Sequence, residues 1–293
     1  MNKEKISKKG RKILVSVIAC THNRSKKLLD TLNAIEKQTL SKDKYELIVV
    51  NDGSTDDTAE VLENFKKNTK LNMKVIYQKD SGPAASRNTG LKHATGEIIA
   101  FTDDDCIPEK DWLKNALKYF KDEQIVGIQG KIYSDIQKKS FFDGAPVTLE
   151  EKNYVGGKTA NMFYRKKIVL EVGGFDERFV MPFGPKKGFR EDTDLAWRVE
   201  TKGKIIFAPD VKVYHPPRPL TIKDVIKNQK IGLLDGLFFL KYPKIQSLKM
   251  IFGPKKLFFL KLPLRLPFFL LGVFYFMVKP MKKRYDEKDT RFE

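Results

Sequence analysis

Three consecutive carboxylates, Asp103, Asp104 and Asp105, follow an apolar run at residues 98–101, with only Thr102 between. An apolar run of this kind predicts a buried strand, so the carboxylates stand where the strand ends and a ligand cleft opens. Carboxylates this close repel one another unless a cation or a hydroxyl-rich ligand compensates their charge. Because hard oxygen donors suit Mg²⁺ or Mn²⁺, the cluster is interpreted as half of a metal-diphosphate site.

Two other polar clusters, at residues 21–24 and 51–54, likewise follow apolar runs that predict strands. In the second, the residues after Asp52 suit a turn followed by a helix cap. That explanation leaves open why Asp52 stands at a strand terminus, where its carboxylate could accept hydrogen bonds from a nucleobase. In the first cluster, His22 is equally suited to a loop and to stacking on a base.

A further acidic group begins a predicted helix at residues 191–198, behind a glycine-bearing segment at residues 173–190. Glu191, Asp192 and Asp194 are suited to complementing the dipole of that helix, which needs no catalytic role. Alternatively, one of them projects into the cleft as a general base, and the glycine-bearing segment forms a lid or an acceptor loop. These residues alone favour the dipole interpretation and leave the catalytic one open.

The elements that position these clusters are apolar runs alternating with helical patterns. Continuous apolar strands separated by helices of this length imply right-handed βαβ units and a mostly parallel sheet with flanking helices. In such sheets ligands bind beyond the carboxyl ends of the strands, where the three polar clusters fall. The predicted strands are 13–19, 47–50, 75–77, 98–101, 125–129 and 211–214, and the predicted helices are 26–38, 55–67, 83–93 and 110–120.

Composition permits a large core, since 41% of the 293 residues are hydrophobic, and the formal net charge is +19. The excess of Lys and Arg lies in a basic leader at residues 1–12 and in residues 212–284. The centre carries clustered carboxylates that would repel phosphate, which counts against a non-enzymatic nucleic-acid-binding protein. Two cysteines without CxxC spacing favour a reducing compartment. Cleavage of the leader as a signal peptide is not expected, because it would remove the first strand.

From about residue 221 the chain becomes basic and rich in Phe. A spanning helix needs about 20 uninterrupted apolar residues, and basic and proline residues between 261 and 267 interrupt the longest run. Basic residues interleaved with Phe and Leu predict an amphipathic helical region at 221–285 that lies in an anionic membrane interface, followed by a tail at 286–293. The alternative is a helical pair packed on the preceding domain, with its Lys and Arg solvated.

In order and spacing, these motifs resemble the inverting family 2 glycosyltransferases of the GT-A fold, from about residue 13 to residue 215. The resemblance implies an α/β, Rossmann-like GT-A catalytic domain at residues 13–220, with the C-terminal region as a helical membrane-associated appendage. The matching segments are 15–24, 46–57, 81–90, 103–105 as the DxD element, 172–179 and 191–198.

The resemblance also assigns donor-side roles. Asp52 would bind the nucleobase, commonly uracil, and Asp103 would contact the ribose. An aromatic residue is usual in the family where His22 stands, so stacking on the base is expected to be weaker or the base to differ. The nucleotide-sugar-binding residues implied are Cys20, His22, Asp52, Arg87, Asp103 and Asp104.

For the chemistry, the resemblance implies that Asp105 and His215 ligate a divalent cation, Mg²⁺ or Mn²⁺. Asp192 would be the catalytic base, with Glu191 as the fallback. The QxxRW motif of processive synthases does not follow Asp192, which favours transfer of one sugar. A nucleotidyltransferase is the alternative enzyme, although a glycine-rich, basic triphosphate loop does not follow the first strand.

The expected donor is a nucleotide sugar, in the first instance a UDP-sugar. The expected acceptor is a membrane-associated or cell-envelope glycan, a polyprenyl-linked sugar or a glycolipid. These partners, together with the basic C-terminal region, predict a peripheral or monotopic enzyme at the cytoplasmic face of the cell membrane.

Overall fold

A computed structural model describes residues 13–135, 157–181, 188–217, 232–243 and 255–278. The basic leader, the tail and residues 182–187 of the predicted lid lie outside these ranges. The strands are β1 Val15–Thr21, β2 Tyr45–Asp52, β3 Asn72–Gln78, β4 Ile98–Asp103, β5 Ile107–Pro108, β6 Ile125–Tyr133, β7 Met162–Arg165 and β8 Lys204–Tyr214. The helices are α1 Ser25–Glu36, α2 Thr58–Asn68, α3 Pro83–His93, α4 Trp112–Tyr119, α5 Lys166–Glu171, α6 Glu191–Glu200, α7 Gly232–Lys241 and α8 Lys255–Val278.

All eight strands join one sheet in the order β3-β2-β1-β4-β7-β6-β8-β5. The first four in this order are mutually parallel, and β8 runs parallel to β6. β7 is antiparallel to both β4 and β6, and β5 is antiparallel to β8. The mostly parallel α/β sheet predicted from the apolar runs is therefore present, with two reversed strands that the pattern did not predict.

Both faces of the sheet are covered, which explains why its strands are continuously apolar. On one face, Leu28 of α1 and Trp112 of α4 pack against Val17 in one buried cluster. On the other face, Leu91 of α3 and Leu195 of α6 belong to a second cluster. Because fully burying each such side chain contributes about 1.5–3 kcal/mol, the two clusters hold the strand ends at fixed positions.

The C-terminal region packs on the domain through α7. Leu234, Leu237 and Phe238 are completely buried, and the Phe238 ring lies 5.0 Å from the ring of Trp197 in α6. α8 in turn crosses α7 at a glycine, since a Cβ on Gly272 would lie 2.3 Å from the carbonyl oxygen of Leu233. α7 therefore packs against the domain, and α8 packs against α7.

α8 is a single helix of 24 residues that continues through Pro263 and Pro267. Within the described ranges, none of the helices combines the length and the apolar character needed to cross a bilayer. Side chains three or four positions apart share one face of a helix. One such face of α8 is apolar and open to solvent. Its members, which are 53–61% exposed, are Leu270, Leu271, Phe274 and Met277.

Candidate active site

The carboxyl ends of β1, β2 and β4 meet at one edge of the sheet. β1 lies between the other two, and Cys20 is in register with Asp103. A cavity of about 470 Å³ opens there. The eight residues predicted for donor and metal binding all line it: Cys20, His22, Asp52, Arg87, Asp103, Asp104, Asp105 and His215.

Asp52 organises the start of α3. Its Oδ1 accepts hydrogen bonds from Gln78 Nε2 at 2.7 Å and from the Ser81 amide at 2.9 Å, and its Oδ2 accepts from the Gly82 amide at 2.9 Å. Asp52 therefore binds the turn that leads into α3, whereas the cap predicted for α2 concerned the residues after Asp52, of which Asp56 accepts a hydrogen bond from the Thr58 amide. A carboxylate accepts about four hydrogen bonds, so the three made here leave capacity for one ligand donor.

Cys20 near the end of β1 and His22 just after it line the cavity together with Asp52. His22 is exposed, and its Nδ1 donates to the Asp52 carbonyl at 2.7 Å, because a carbonyl oxygen can only accept. Burial raises the pKa of the Cys20 thiol to about 12, against the opposing charge of Arg87. Cys20 is therefore a neutral lining residue rather than a nucleophile.

Arg24 compensates the acidic cluster, a role that the sequence did not reveal. Its Nη1 lies 3.2 Å from Asp104 Oδ1 and 2.5 Å from Asp105 Oδ2. Burial raises the pKa of Asp104 to about 6, and the charge of Arg24 opposes that rise. The only sequence signal for Arg24 was its place in the polar cluster at residues 21–24.

The residues present fit a divalent cation. His215 Nε2 lies 3.7 Å from Asp105 Oδ1, and two atoms bound to one ion at about 2.0–2.2 Å each lie at most about 4.4 Å apart. His215 Nδ1 lies 2.9 Å from the Pro216 carbonyl oxygen, so Nδ1 carries the proton and Nε2 offers a lone pair.

Cys106 is the third potential ligand at this point, within 4.8 Å of the other two ligand atoms. It is completely buried, and burial raises the pKa of its thiol well above the ordinary value. A protonated thiol is a poor ligand for a hard cation. The donor set that fits Mg²⁺ or Mn²⁺ is therefore Asp105 with His215.

Arg87 joins the cavity to the start of α6. Its Nη1 lies 2.9 Å from Glu191 Oε1 and its Nη2 lies 3.5 Å from Asp103 Oδ1. Glu191 is buried, and desolvation raises the pKa of its carboxyl group in spite of the Arg87 charge. Asp192, the next residue, is only partly buried, and its Oδ1 accepts a hydrogen bond from the Thr193 amide at 2.7 Å.

The acidic groups act on one another electrostatically. Desolvation raises the pKa of Asp103, Arg87 opposes that rise, and the charges of Asp105 and Asp192 add to it. Asp103 is not closely packed, since 37% of its side chain stays exposed. Its desolvation comes from the walls of the cleft that surround it. The strand-end carboxylates and the acidic start of α6 therefore belong to one site, although Glu191 and Asp192 do not line the cavity itself.

The fold and the cleft define the class of α/β proteins that bind ligands at the carboxyl ends of parallel strands. A family model described as glycosyl transferase family 2 matches residues 16–175, more than half of the 293 residues. The chain belongs to glycosyl transferase family 2. The donor-side segments of the resemblance fall within this match, and α6 lies beyond it.

Curated relatives agree with this family. The chain is 28% identical over 221 residues to glycosyltransferase AglE of Haloferax volcanii, covering 70% of this chain and 67% of AglE. It is 30% identical over 161 residues to the poly(ribitol-phosphate) beta-N-acetylglucosaminyltransferase TarS of Staphylococcus aureus. That second match covers 53% of this chain but only 28% of TarS.

Solved structures share the GT-A architecture. The mannosyltransferase PcManGT from Pyrobaculum calidifontis, solved with GDP-Man and Mn²⁺, superposes with a TM-score of 0.61 at 20% identity, over 92% of this chain and 76% of that one. TarS superposes with a TM-score of 0.58 at 23% identity, over 93% of this chain and 46% of that one. Likeness at these identities shows the fold alone. The predicted GT-A catalytic fold is thereby confirmed.

Proposed function

We propose that this chain is an inverting glycosyltransferase that moves one sugar from a nucleotide sugar to an acceptor hydroxyl. The observation that carries the proposal is the Arg87 bridge, which joins Asp103 at the end of β4 to Glu191 at the start of α6. This bridge connects the donor-side carboxylates to the turn of α6 that carries the candidate base, Asp192. Family membership favours this activity over the nucleotidyltransferase and the nucleic-acid-binding alternatives.

On the donor side, Asp52 has capacity for one more hydrogen bond and suits a base N–H, while Arg87 lines the same cavity and would contact the diphosphate. A divalent cation bound by Asp105 and His215 would neutralise the charge that develops on the leaving nucleoside diphosphate. Related folds support such a donor, since TarS has been solved with UDP and with UDP-GlcNAc, and PcManGT with GDP-Man and Mn²⁺. We favour UDP-sugars as the first donors to test.

On the acceptor side, Asp192 takes the proton of the attacking hydroxyl. The hydroxyl oxygen bonds to the anomeric carbon from the face opposite the diphosphate, the carbon–oxygen bond to the diphosphate breaks, and the anomeric configuration inverts. Asp192 suits this step better than Glu191 because it is partly exposed, whereas Glu191 is buried against Arg87. Glu191 then serves to hold Arg87.

A panel of nucleotide sugars tests the proposal. With Mn²⁺ or Mg²⁺ present, we expect one donor to be hydrolysed or transferred with release of a nucleoside diphosphate, and chelation to lower that rate more than about a hundredfold. The product should carry the inverted anomeric configuration. Release of pyrophosphate from a nucleoside triphosphate and a sugar phosphate would identify a nucleotidyltransferase instead.

We further propose that the apolar face of α8 contacts an anionic membrane surface at the cytoplasmic face, where a polyprenyl-linked or glycolipid acceptor would lie. Support comes from the four exposed apolar side chains on α8 and from the basic residues that flank them in the sequence. Basic side chains beside an apolar helix face are typical of interfacial binding. The contact would concentrate the enzyme near its acceptor.

Vesicle cosedimentation tests this contact without removing α7. Substituting Leu271→Glu together with Phe274→Glu should weaken binding to phosphatidylglycerol-containing vesicles about tenfold or more, since two exposed apolar side chains no longer enter the interface. The matched control is Leu29→Glu on α1, which is 43% exposed and lies on the catalytic domain. Equal pelleting of the wild type and the α8 double variant would rule out this face as the membrane contact.

A further inference from the structure

The first turn of α6 is held on one side by Asp235 of α7. Asp235 is completely buried, and its Oδ1 accepts a hydrogen bond from Arg190 Nε at 2.9 Å. Arg190 directly precedes Glu191 and has a φ of 74°, a left-handed conformation that a residue with a Cβ rarely adopts. Such a conformation persists only where surrounding contacts hold it. The Asp235 carboxylate is one of those contacts.

The same turn is held on its other side by the end of α7. Asp194 is completely buried, and its Oδ1 lies 2.9 Å from the Tyr242 hydroxyl and 2.5 Å from Lys241 Nζ. Its Oδ2 accepts a hydrogen bond from Arg198 within α6. The Asp194 amide donates to the Arg190 carbonyl at 2.8 Å, which closes the turn.

Lys241 ties a second segment to this point. Its Nζ lies 3.0 Å from Asp176 Oδ2, and Arg178 pairs with the same carboxylate. Burial alone would raise the pKa of Asp176, but the hydrogen bonds from Arg178 and Lys241 outweigh it and hold the pKa below its usual range. Asp176 therefore stays ionised at neutral pH, and the Lys241 ammonium is held between two carboxylates.

The polar contacts from α7 surround the part of α6 that carries the candidate base. The two residues that α7 holds lie on either side of the pair Glu191 and Asp192: Arg190 directly precedes Glu191, and Asp194 is two residues after Asp192. Apolar packing between Phe238 and Trp197 already joins the two helices, so polar contacts are not needed for docking alone. Buried charged pairs are costly and often add little net stability, which favours a role in fixing one geometry over a role in adhesion.

We propose that Asp235, Lys241 and Tyr242 are positioning residues of the transfer reaction. They hold the first turn of α6 so that Asp192 stays aimed at the acceptor hydroxyl, which makes the C-terminal helix α7 a part of the active site. This inference rests on the proposed function and on Asp192 as the base. It assigns a catalytic purpose to a region that the sequence indicated only as a membrane-associated appendage.

The test compares Tyr242→Phe and Asp235→Asn in the full chain. Both substitutions keep side-chain shape. Tyr242→Phe removes the hydroxyl bound to Asp194, and Asp235→Asn removes the negative charge that is paired with Arg190. We expect kcat for transfer to fall about tenfold in Tyr242→Phe and about a hundredfold in Asp235→Asn, because small misplacement of a base is costly. The donor KM and the Mn²⁺-dependent nucleotide Kd should stay within about twofold, since the cavity residues are untouched.

A second readout separates positioning from a general loss of stability. A displaced base serves a small water molecule better than a larger acceptor, so the ratio of transfer to donor hydrolysis should fall in both variants. The matched control is Tyr119→Phe, which removes a tyrosine hydroxyl bound to Asp210; Tyr119 belongs to α4, on the opposite face of the sheet from α6. Its thermal stability should fall by a similar few degrees, within about 4 °C, while kcat and the transfer ratio stay unchanged.

The outcomes distinguish this inference from the proposed function. Wild-type kcat and transfer ratio in Tyr242→Phe, with Asp192→Asn inactive, would overturn the positioning role alone. Full activity of Asp192→Asn would overturn the assignment of the base, whatever Tyr242→Phe does. If Asp235→Asn does not fold, Tyr242→Phe with its Tyr119→Phe control decides the question.

Discussion

Substituting Asp105→Ala is expected to lower metal-dependent release of nucleoside diphosphate by on the order of 10³-fold, because charge stabilisation by the cation is worth several kcal/mol in the transition state. Asp105 Oδ1 lies 3.7 Å from His215 Nε2, so the substitution removes half of the donor set that the chain offers. Mn²⁺ affinity measured by titration calorimetry in the presence of the nucleotide should fall in parallel. Folding should persist, since Arg24 keeps Asp104 as its partner.

Asp57→Ala is the matched control for this substitution. Asp57 is exposed, and although it precedes α2, its side chain makes no capping hydrogen bond. The control should keep wild-type turnover and Mn²⁺ affinity. If Asp105→Ala bound Mn²⁺ and released nucleoside diphosphate as the wild type does, the metal site would have to be sought elsewhere.

Substituting Asp192→Asn should lower transfer to the acceptor by about 10²–10⁴-fold, the usual contribution of a general base. Nucleotide binding should stay unchanged, because Asp192 does not line the donor cavity. The measurement is kcat for transfer alongside the nucleotide Kd. A fall in kcat with a constant Kd identifies an interaction made in the transition state rather than in donor binding.

Glu191→Gln provides the comparison for the base. Glu191 is bound to Arg87, so its substitution should disturb the placement of Arg87 and weaken nucleotide binding as well as turnover. Asp192→Asn is therefore expected to keep the wild-type nucleotide Kd, whereas Glu191→Gln is expected to raise it. Loss of turnover confined to Glu191→Gln, with Asp192→Asn active, would move the role of base to Glu191.

Much of the fold followed from local signals. α3 begins and ends at the predicted residues, 83 and 93, because Gly82 and Pro83 mark its start without tertiary help. β4 was predicted at residues 98–101 from its apolar run, and the strand continues two residues further, to Asp103. By contrast, β7 has four residues and lies between β4 and β6 through antiparallel pairing. Such a short strand gives no periodic signal and depends on partners distant in the sequence.

The candidate site also contains residues that local signals predicted and residues that they did not. The donor-side residues were predictable because carboxyl ends of parallel strands meet at one edge, which places Asp52 and Asp103 at the same edge once the strands are known. The partner of the acidic cluster, Arg24, was not predictable, because an arginine in a polar loop carries no signal for its counter-ion. The same holds for Asp194 and Tyr242, which lie 48 residues apart and meet only through helix packing.

The sequence by itself determined that a parallel sheet places carboxylates from separate strands at one edge. The alternation of apolar strands and helices is a local pattern, and crossover helices between parallel strands bring the carboxyl ends of those strands to the same edge. Only the tertiary structure decided that α7 docks against α6 and that Arg190 and Asp194 receive their partners from it. Local patterns specify which face of a helix is apolar, but not which other helix covers that face. That choice depends on the packing of distant side chains, and here it decides which residues surround the candidate base.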